Sequence, residues 1–373
     1  MIEGLQIAIP QRMAMVRIIL VFSLIASVLV SFSLWGGQRY FPLTPLTNAP
    51  SILPPYDYIL PGIAVFSWLC SLVLRKHRLF LFLSLTLSVW MCLNDYTRLQ
   101  PWFYMYNAML VVFILYNGRV DDPNKYTSFF IILQIILASN YFFTGFHRLH
   151  SSYIQTEFVQ IISPLHHFVS ERQFTLFVKL GASLPYVLLF IGVGLMISPV
   201  RYLAITLAVL MHVALLFLLF PSARQTNYAL WLTNASYPLM VLFLFSGKTK
   251  QRYYSPAFLF QKPLFYIVLI AFVVMPFFSA AGYWPRFMSS DFRNGRRDDV
   301  IIVVNPDLYR HLSLYERHFY TPLGSLYRLE HLTWCREELN AEFLPDKRIY
   351  ESIQFYLNSK MPGGVTLSEL EDL

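Results

Sequence analysis

The stretch from Met15 to Trp35, MVRIILVFSLIASVLVSFSLW, decides the fold class, because it is a mainly apolar run with a single charged residue, Arg17. A helix needs about 20 apolar residues to cross the hydrocarbon core of a bilayer. Eight more apolar runs follow, at Ile59–Leu74, Leu79–Leu93, Phe103–Tyr116, Tyr126–Phe143, Phe174–Ile197, Tyr202–Phe220, Tyr228–Phe245 and Leu264–Ala281. The sequence therefore predicts an all-α polytopic membrane protein with about nine transmembrane helices.

The composition of the 373-residue chain supports this class of protein. Hydrophobic residues make up 56% and charged residues 13%, and the mean hydropathy is +0.49. Soluble domains are roughly half apolar and about a quarter charged, so a water-soluble globule, a disordered chain and a collagen are excluded. The three cysteines, Cys70, Cys92 and Cys335, have neither paired nor metal-binding spacing, which excludes a disulfide scaffold.

The basic residues predict the orientation. The chain has 29 Lys and Arg against 21 Asp and Glu, which in a soluble protein would suggest nucleic-acid binding. Here they lie between apolar runs, as the positive-inside rule requires, so we expect a lipid bilayer as partner and no nucleic acid. With the N-terminus inside, the inner gaps hold twelve Lys and Arg and the outer gaps six. We therefore expect a bacterial inner-membrane protein with a cytoplasmic N-terminus, no cleavable signal peptide and a periplasmic C-terminus.

Two segments are predicted to lie outside the bilayer core. Ser151–Gln173 has apolar residues at helical spacing with polar residues between them, which predicts an interfacial helix that Pro164 kinks or restarts. From Tyr283 onwards the chain is charged and rich in turns. Residues 1–282 are thus expected to form the transmembrane domain and 283–373 a small α+β extramembrane domain. Its predicted elements are a strand at Val300–Val304 and helices at Leu329–Leu339 and Lys347–Leu357.

Polar side chains between the third and fourth apolar runs form the first candidate site. Ionisable groups near the membrane interior are costly, so they indicate a functional cavity. Asp95 and Arg98 are three residues apart and are expected to pair on one helical face, with Gln100 close by. We expect all three to bind a ligand. The alternative is an ordinary ion pair in an outer loop, anchored by neighbouring aromatic residues.

The second candidate site follows the fifth apolar run. Asn140, Gly145, His147 and Arg148 lie where this span reaches the outer interface, and Gly145 allows close helix packing. His147 titrates near neutrality and is the candidate catalytic acid or base. Arg148 stays protonated and is expected to bind an anionic group. The alternative is that His147 and Arg148 extend to the lipid headgroups.

His212, inside the seventh apolar run, is a further candidate for ligand binding. A buried histidine also often bonds a neighbouring helix, and Asn227 and Asn234 are similar interhelical candidates. No carboxylate or cysteine supports a metal site, and we predict none. The G-x-S-x-G, P-loop and H-E-x-x-H motifs are missing, so hydrolase, NTPase and zinc-protease functions have no support. No cofactor can be named from the sequence.

Three parts of the sequence together resemble a known family. They are Leu93–Tyr106 with its Arg-Leu-Gln-Pro-Trp core, the Tyr141–Ile154 pattern of aromatic pair, small residue, glycine, basic pair and leucine, and Met211-His212 together with the polar eighth run. Over about Arg12–Lys250 they resemble the HTTM family, which includes the vitamin K-dependent γ-glutamyl carboxylases. The tail is similar to DoxX/HTTM-like bacterial membrane proteins, at Gly282-Tyr283-Trp284, Arg293-Asn294-Gly295 and Pro345–Tyr350.

The resemblance implies the architecture but not an unchanged reaction. In the carboxylases, the lysine before the leucine of this pattern is the proposed base that deprotonates vitamin K hydroquinone. Arg148 occupies that position here, His147 matches the preceding lysine, and Tyr153 matches a tryptophan. A guanidinium does not act as a base at ordinary pH. His147 is therefore the only one of the pair able to move a proton.

Three classes of function remain open. The first is an enzyme acting on a lipophilic, quinone- or lipid-like molecule at the outer leaflet. The second is a non-catalytic scaffold or partner subunit, with a protein partner that the sequence does not name. The third is a small-molecule transporter, which ranks last because the sequence lacks two matching Gly/Pro-interrupted spans.

Overall fold

The computed structural model describes residues 7–47, 56–115, 123–219, 227–247, 259–291 and 300–369. Within them, a helical bundle is followed by a small α+β domain. The bundle helices are α1 (Ile9–Val30), α2 (Ile59–Val73), α3 (His77–Asn94), α4 (Pro101–Leu115), α5 (Pro123–Phe146), α6 (Glu171–Gly181), α7 (Leu184–Met196), α8 (Arg201–Leu218), α9 (Tyr228–Phe245) and α10 (Pro263–Leu269).

Six of the described helices are long and apolar enough to cross a membrane, which confirms the predicted helical membrane-type fold. They are α1, α2 with its preceding turn, α3, the Thr127–Phe146 part of α5, α8 and α9. The pair α6 and α7 also passes when taken together, although it is bent by 41°. Two shorter apolar helices, Pro101–Leu115 and Pro263–Phe278, match the fourth and ninth predicted spans. The count of nine spans therefore stays a prediction.

Two predicted spans have breaks in their helices. The run at 174–197 is divided between α6 and α7, because Pro185 in the first turn of α7 cannot donate a backbone hydrogen bond. The run at 264–281 begins as α10, continues as a π-helix at Ile270–Val274 and ends as a 3-10 helix at Met275–Phe278. Pro276 in this last turn has the same effect. Apolar length alone contains no sign of these breaks.

The interfacial segment is a series of short helical turns rather than one helix. The turns are Ser151–Tyr153, Ile154–Phe158, Val159–Ile162 and Ser163–His167. The α-helical pattern ends beside Pro164, as the sequence predicts. Ser170 then caps α6 by accepting a hydrogen bond from the backbone N–H of Gln173. Short turns also occur at Phe32–Trp35, Tyr56–Tyr58, Tyr96–Arg98 and Arg286–Ser289.

Side-chain bonds define one end of the bundle, here called the basic end. Arg12 at the start of α1 donates to the carbonyl of Phe243 near the end of α9, at 2.7 Å. Arg78 and Arg201, at the starts of α3 and α8, donate to carbonyls at the ends of α4 and α7. The starts of three helices thus lie beside the ends of three others, so these pairs are antiparallel.

The C-terminal domain occupies the opposite end, here called the domain end. Its elements are β1 (Val300–Val304), α11 (Pro306–His311), α12 (Leu314–Arg317), β2 (Tyr320–Leu323), β3 (Leu326–Leu329), α13 (His331–Leu339), α14 (Lys347–Lys360) and β4 (Val365–Glu369). The strands form an antiparallel sheet in the order β2-β3-β1-β4. Its core includes Ile302, Phe319, Trp334 and Ile353. The predicted α+β character is therefore confirmed.

The predicted elements of this domain are close to the observed ones. β1 has the predicted bounds, and α14 extends three residues beyond the predicted Leu357. The predicted helix at 329–339 starts instead at His331. Leu329 belongs to β3, which pairs with β2 through a two-residue turn with Gly324 at φ +59°. The predicted turn at 293–295 lies outside the described residues.

Asn340 holds the C-terminal domain against two bundle helices. It ends α13 in the left-handed conformation at φ 51°, which asparagine adopts more readily than most residues. Its side-chain amide donates to the carbonyl of Val30, at the end of α1, and accepts from the backbone N–H of Tyr228, at the start of α9. Glu338 adds contacts by accepting from the backbone of Phe41.

Candidate functional site

The predicted pair of Asp95 and Arg98 is formed at the domain end. The Asp95 carboxylate lies 3.5 Å from Nε of Arg98 and 2.6 Å from Nη2 of Arg39. Its other oxygen accepts hydrogen bonds from Thr97 and from the backbone N–H of Thr44. Asp95 has no exposed surface and Arg98 is 6% exposed. We call these five residues the Asp95 cluster.

The Asp95 cluster joins separate segments of the chain at the domain end. Both guanidinium groups also donate to the carbonyl of Leu34, and Arg98 donates to that of Met91. Burial lowers the pKa of Arg98, and the charge of Asp95 opposes this effect. Neither Asp95 nor Arg98 lines the cavity described below. The structure thus forms the predicted ion pair and buries it, and ligand binding by Asp95 and Arg98 stays a prediction.

Gln100 attaches the bundle to the C-terminal domain. Its side chain donates to the carbonyl of Glu342 and accepts from the backbone N–H of the same residue, at 2.9 and 3.0 Å. Gln100 is fully buried and does not line the cavity, whereas its neighbours Pro101 and Trp102 do. The predicted binding residue therefore has a docking role in this structure.

His147, the predicted catalytic residue, does not line the cavity described below. Its Nδ1 lies 3.6 Å from a carboxylate oxygen of Asp291, whose second oxygen accepts from the Ser279 hydroxyl. α5 ends at Phe146, and the backbone N–H of His147 still donates to the carbonyl of Phe143 at 3.0 Å. The next residue, Arg148, does line the cavity, and its guanidinium lies over the Tyr153 ring at 5.2 Å.

A cavity of about 150 Å³ lies near the domain end, between α5, α7, α8 and α9. A cavity of this size accommodates a molecule such as benzene. Apolar side chains form much of its wall, including Leu184, Leu188, Met211, Leu215 and Leu219. Its polar wall contains Asn140, Tyr141, Thr144, Arg148, Tyr153, His212, Asn227, Thr233, Asn234, Tyr237, Ser290 and Glu342. Three predicted site residues, Asn140, Arg148 and His212, thus meet here.

A hydrogen-bonded chain crosses this wall, and its directions can be assigned. The Asn234 amide nitrogen donates to the carbonyl of Leu230, so its oxygen is the atom that faces His212. That oxygen can only accept, so Nδ1 of His212 carries the proton of the 2.8 Å bond between them. In the neutral imidazole Nε2 is then an acceptor, and it receives the Tyr141 hydroxyl proton at 2.7 Å.

Asn140 continues the polar wall towards the linker. Its amide nitrogen donates to the Tyr237 hydroxyl at 3.0 Å, and its oxygen accepts from the Ser290 hydroxyl at 2.8 Å. Ser290 has a left-handed backbone at φ 58°, which is uncommon for a residue with a side chain. The Tyr237 ring packs against the rings of Tyr141 and His212. We call Asn140, Tyr141, His212, Asn234 and Tyr237 the His212 cluster.

Sequence reasoning did not single out Tyr141 or Tyr237 as site residues. Asn234 and Tyr237 are three residues apart, which places them on one face of α9. This spacing was the available signal for part of the cluster. α8 and α5 pack against that face and place His212 and Tyr141 beside it. No sequence pattern predicts this packing.

The described residues contain no group of three His, Cys, Asp or Glu side chains suited to a metal ion. Comparison of the chain with protein-family models, with curated proteins and with solved structures finds no match. The resemblance to the HTTM family therefore stays an expectation from the sequence. What the cavity itself offers is an apolar wall, a guanidinium and a neutral imidazole linked to a tyrosine hydroxyl.

Proposed function

We propose that the chain is a nine-pass integral membrane protein that binds a lipophilic small molecule in the cavity beside His212. The observation that carries this proposal is the combination of an apolar wall with a buried polar cluster around one cavity. Ligand sites are usually concave and mostly apolar, with a few placed polar groups that fix orientation. A bundle that needed its polar residues only for packing would have no reason to leave space beside them.

The direction of the helices supports nine passes. α1 ends and α9 begins at the domain end, where both contact Asn340. The ends of α5 and of the Pro263–Phe278 helix also lie there, because His147 and Ser279 both contact Asp291. Consecutive helices, short and long alike, thus run in alternating directions between the two ends of the bundle, as nine crossings require. The C-terminal domain would then lie on the side opposite the N-terminus.

The polar wall suggests how such a ligand is held and what reaction is accessible. Arg148 carries a positive charge at the cavity and suits an anionic or strongly polar head group. Asn234 keeps the proton of His212 on Nδ1, so Nε2 is the proton-accepting nitrogen. This nitrogen is already bonded to the Tyr141 hydroxyl. In an enzymatic function, His212 rather than His147 is the histidine at the cavity, and it would take up a proton through the Tyr141 hydroxyl. Such an enzyme would act on a quinone- or lipid-like substrate, and a non-catalytic scaffold or partner subunit is the alternative class.

Photolabelling tests the ligand site. The purified protein in lipid nanodiscs is exposed to a long-chain alcohol with a diazirine in its alkyl chain, and labelled peptides are mapped by mass spectrometry. We expect labels at cavity residues such as Leu188 and Met211. Leu215→Trp fills the cavity and should reduce this labelling at least fivefold. Leu210→Trp is the matched control, because Leu210 is 60% exposed on the same helix. Equal labelling in all three proteins would contradict the proposal.

Thiol accessibility tests the topology. Ser359→Cys places a thiol on the C-terminal domain, and Ser198→Cys places one in the α7–α8 loop at the basic end, both at exposed serines. We expect a membrane-impermeant maleimide to label the Cys at 359 in intact cells, and the Cys at 198 only after the membrane is opened. Labelling of both positions from the same side would rule out an odd number of spans between them.

A further inference from the structure

Five hydroxyl groups of the cavity wall, those of Tyr141, Thr144, Thr233, Tyr237 and Ser290, share one property, which is that each donates its proton to a protein acceptor. Thr144 donates to the carbonyl of Asn140 and Thr233 to that of Ala229, at 2.6 and 2.8 Å. Both are helical hydroxyls bonded to the carbonyl four residues earlier. Ser290 donates to the side-chain oxygen of Asn140. Each hydroxyl has one proton, so these oxygens can offer a ligand only their lone pairs.

The two tyrosines of the His212 cluster behave in the same way. Tyr237 accepts from Asn140 and donates to the sulfur of Met105 at 2.9 Å. Tyr141 donates to His212, whose tautomer is set by Asn234. These five hydroxyl oxygens can therefore accept a hydrogen bond from a ligand but have no proton left to give it. A ligand head that only accepts would find no donor among these five oxygens, which is costly in a buried site.

We propose that the cavity selects an amphiphile whose head carries a hydroxyl group, and that this hydroxyl donates to the oxygen of Tyr141. This inference rests on the proposed function and names its ligand class. Tyr141 is the binding residue in this arrangement, and His212 and Asn234 are positioning residues that keep the proton of Tyr141 away from the ligand. A cavity of benzene size holds the hydroxyl head and the first carbons of such a molecule, and apolar side chains from α7 and α8 contact these carbons.

A matched pair of competitors tests the selection in the unmodified protein. Unlabelled 1-hexadecanol and its methyl ether compete with the diazirine alcohol in nanodiscs, and labelling of the cavity peptides is quantified. The two molecules have nearly the same apolar surface, but only the alcohol donates a hydrogen bond. We expect the alcohol to compete at about tenfold lower concentration, the factor that one net hydrogen bond supplies.

Two variants identify the residue responsible. Tyr141→Phe removes the acceptor and should bring the alcohol and the ether to within about threefold of each other. Tyr104→Phe, the same change outside the cavity, should keep the wild-type ratio, because Tyr104 stacks on Phe272 and does not line the cavity. Equal competition by both molecules in the wild-type protein would overturn the selection while leaving the cavity site intact. Failure of the alcohol probe to label the cavity at all would overturn the proposed function itself.

Discussion

The Asp95 cluster and the His212 cluster lie near the same end of the bundle and are both buried, but they are built differently. The Asp95 cluster contains full charges, and its charged groups bond to one another and to backbone carbonyls. The His212 cluster is a chain of neutral groups beside a cavity. A costly polar group in an apolar sequence therefore indicates a constraint, but whether the constraint is structural or functional depends on the space beside it.

The largest expected effect comes from neutralising Asp95. Asp95→Asn removes the carboxylate with which the buried Arg39 and Arg98 pair, and breaking a buried ion pair in this way costs about 3–5 kcal/mol. We expect a loss of this size in the free energy of unfolding, measured by denaturant titration in mixed micelles. Asp307→Asn is the control, because that carboxylate pairs with Arg310 on the exposed surface and should contribute less than about 1 kcal/mol. A small effect for Asp95→Asn would mean that the two clusters do not differ as described.

The next effect concerns the helix pair behind the His212 cluster. A Cβ on Gly192 of α7 would lie 2.7 Å from the backbone nitrogen of Phe142 in α5, so Gly192→Ala must separate the two helices. Overpacking of this kind costs about 1–3 kcal/mol. Gly62→Ala in α2 is the control, because nothing lies within 4 Å of its Cβ position, and it should not destabilise the protein. Photolabelling of both variants would show whether the cavity depends on this close approach.

A smaller effect is expected inside the His212 cluster. Asn234→Leu removes the hydrogen bond to Nδ1 of His212, and polar bonds between membrane helices contribute about 1 kcal/mol or less. The free energy of unfolding should therefore fall by about 1 kcal/mol. The tautomer of His212 is no longer fixed, so the preference for alcohol over ether should shrink as well. A stability loss as large as that of Asp95→Asn would assign the His212 cluster a structural role.

The smallest effect extends the comparison to a polar cluster outside the bundle. Burial alone would raise the pKa of Glu316, but hydrogen bonds from Lys360, Ser313 and Tyr356 outweigh it and lower the pKa below its ordinary value of 4.5. The resulting stability is present above the unfolded pKa and is lost as the pH falls through the folded pKa. Thermal unfolding between neutral and acid pH should show a decline that Glu316→Gln largely removes. An unchanged pH profile in this variant would contradict the assignment.

The lengths of the apolar runs predict the helices of the bundle. Where a predicted helix end is wrong, the cause is a capping or first-turn residue next to the run. α9 has the predicted bounds Tyr228–Phe245, because its apolar run starts directly after the capping side chain of Asn227. α1 begins six residues before the predicted Met15, since Pro10 suits a first helical turn and Arg12 can bond to α9. Hydropathy recognises the part of a helix that faces lipid and not the polar turn that continues it.

The candidate site was predicted only in part. His147 lies seven residues after Asn140, a spacing that puts both on one helical face, but the helix ends before His147. Arg148, Asn140 and His212 were identified as binding candidates because each is polar in an apolar region. Its partners Tyr141 and Asn234 lie 71 and 22 residues away from His212 in the chain and bond to it from other helices. Such contacts follow from packing and not from spacing.

Asn340 has a consequence for the order in which the protein is assembled. Its side-chain amide bonds to a carbonyl at the end of α1 and to a backbone N–H at the start of α9. Asn340 is synthesised after both of these helices. Until the last part of the chain emerges and docks, these two helix ends lack that partner. The C-terminal domain thus docks on the end of the bundle only after the helices have been synthesised. A chain that stops before Asn340 is expected to insert into the membrane but to stay open at this end and to be vulnerable to proteolysis.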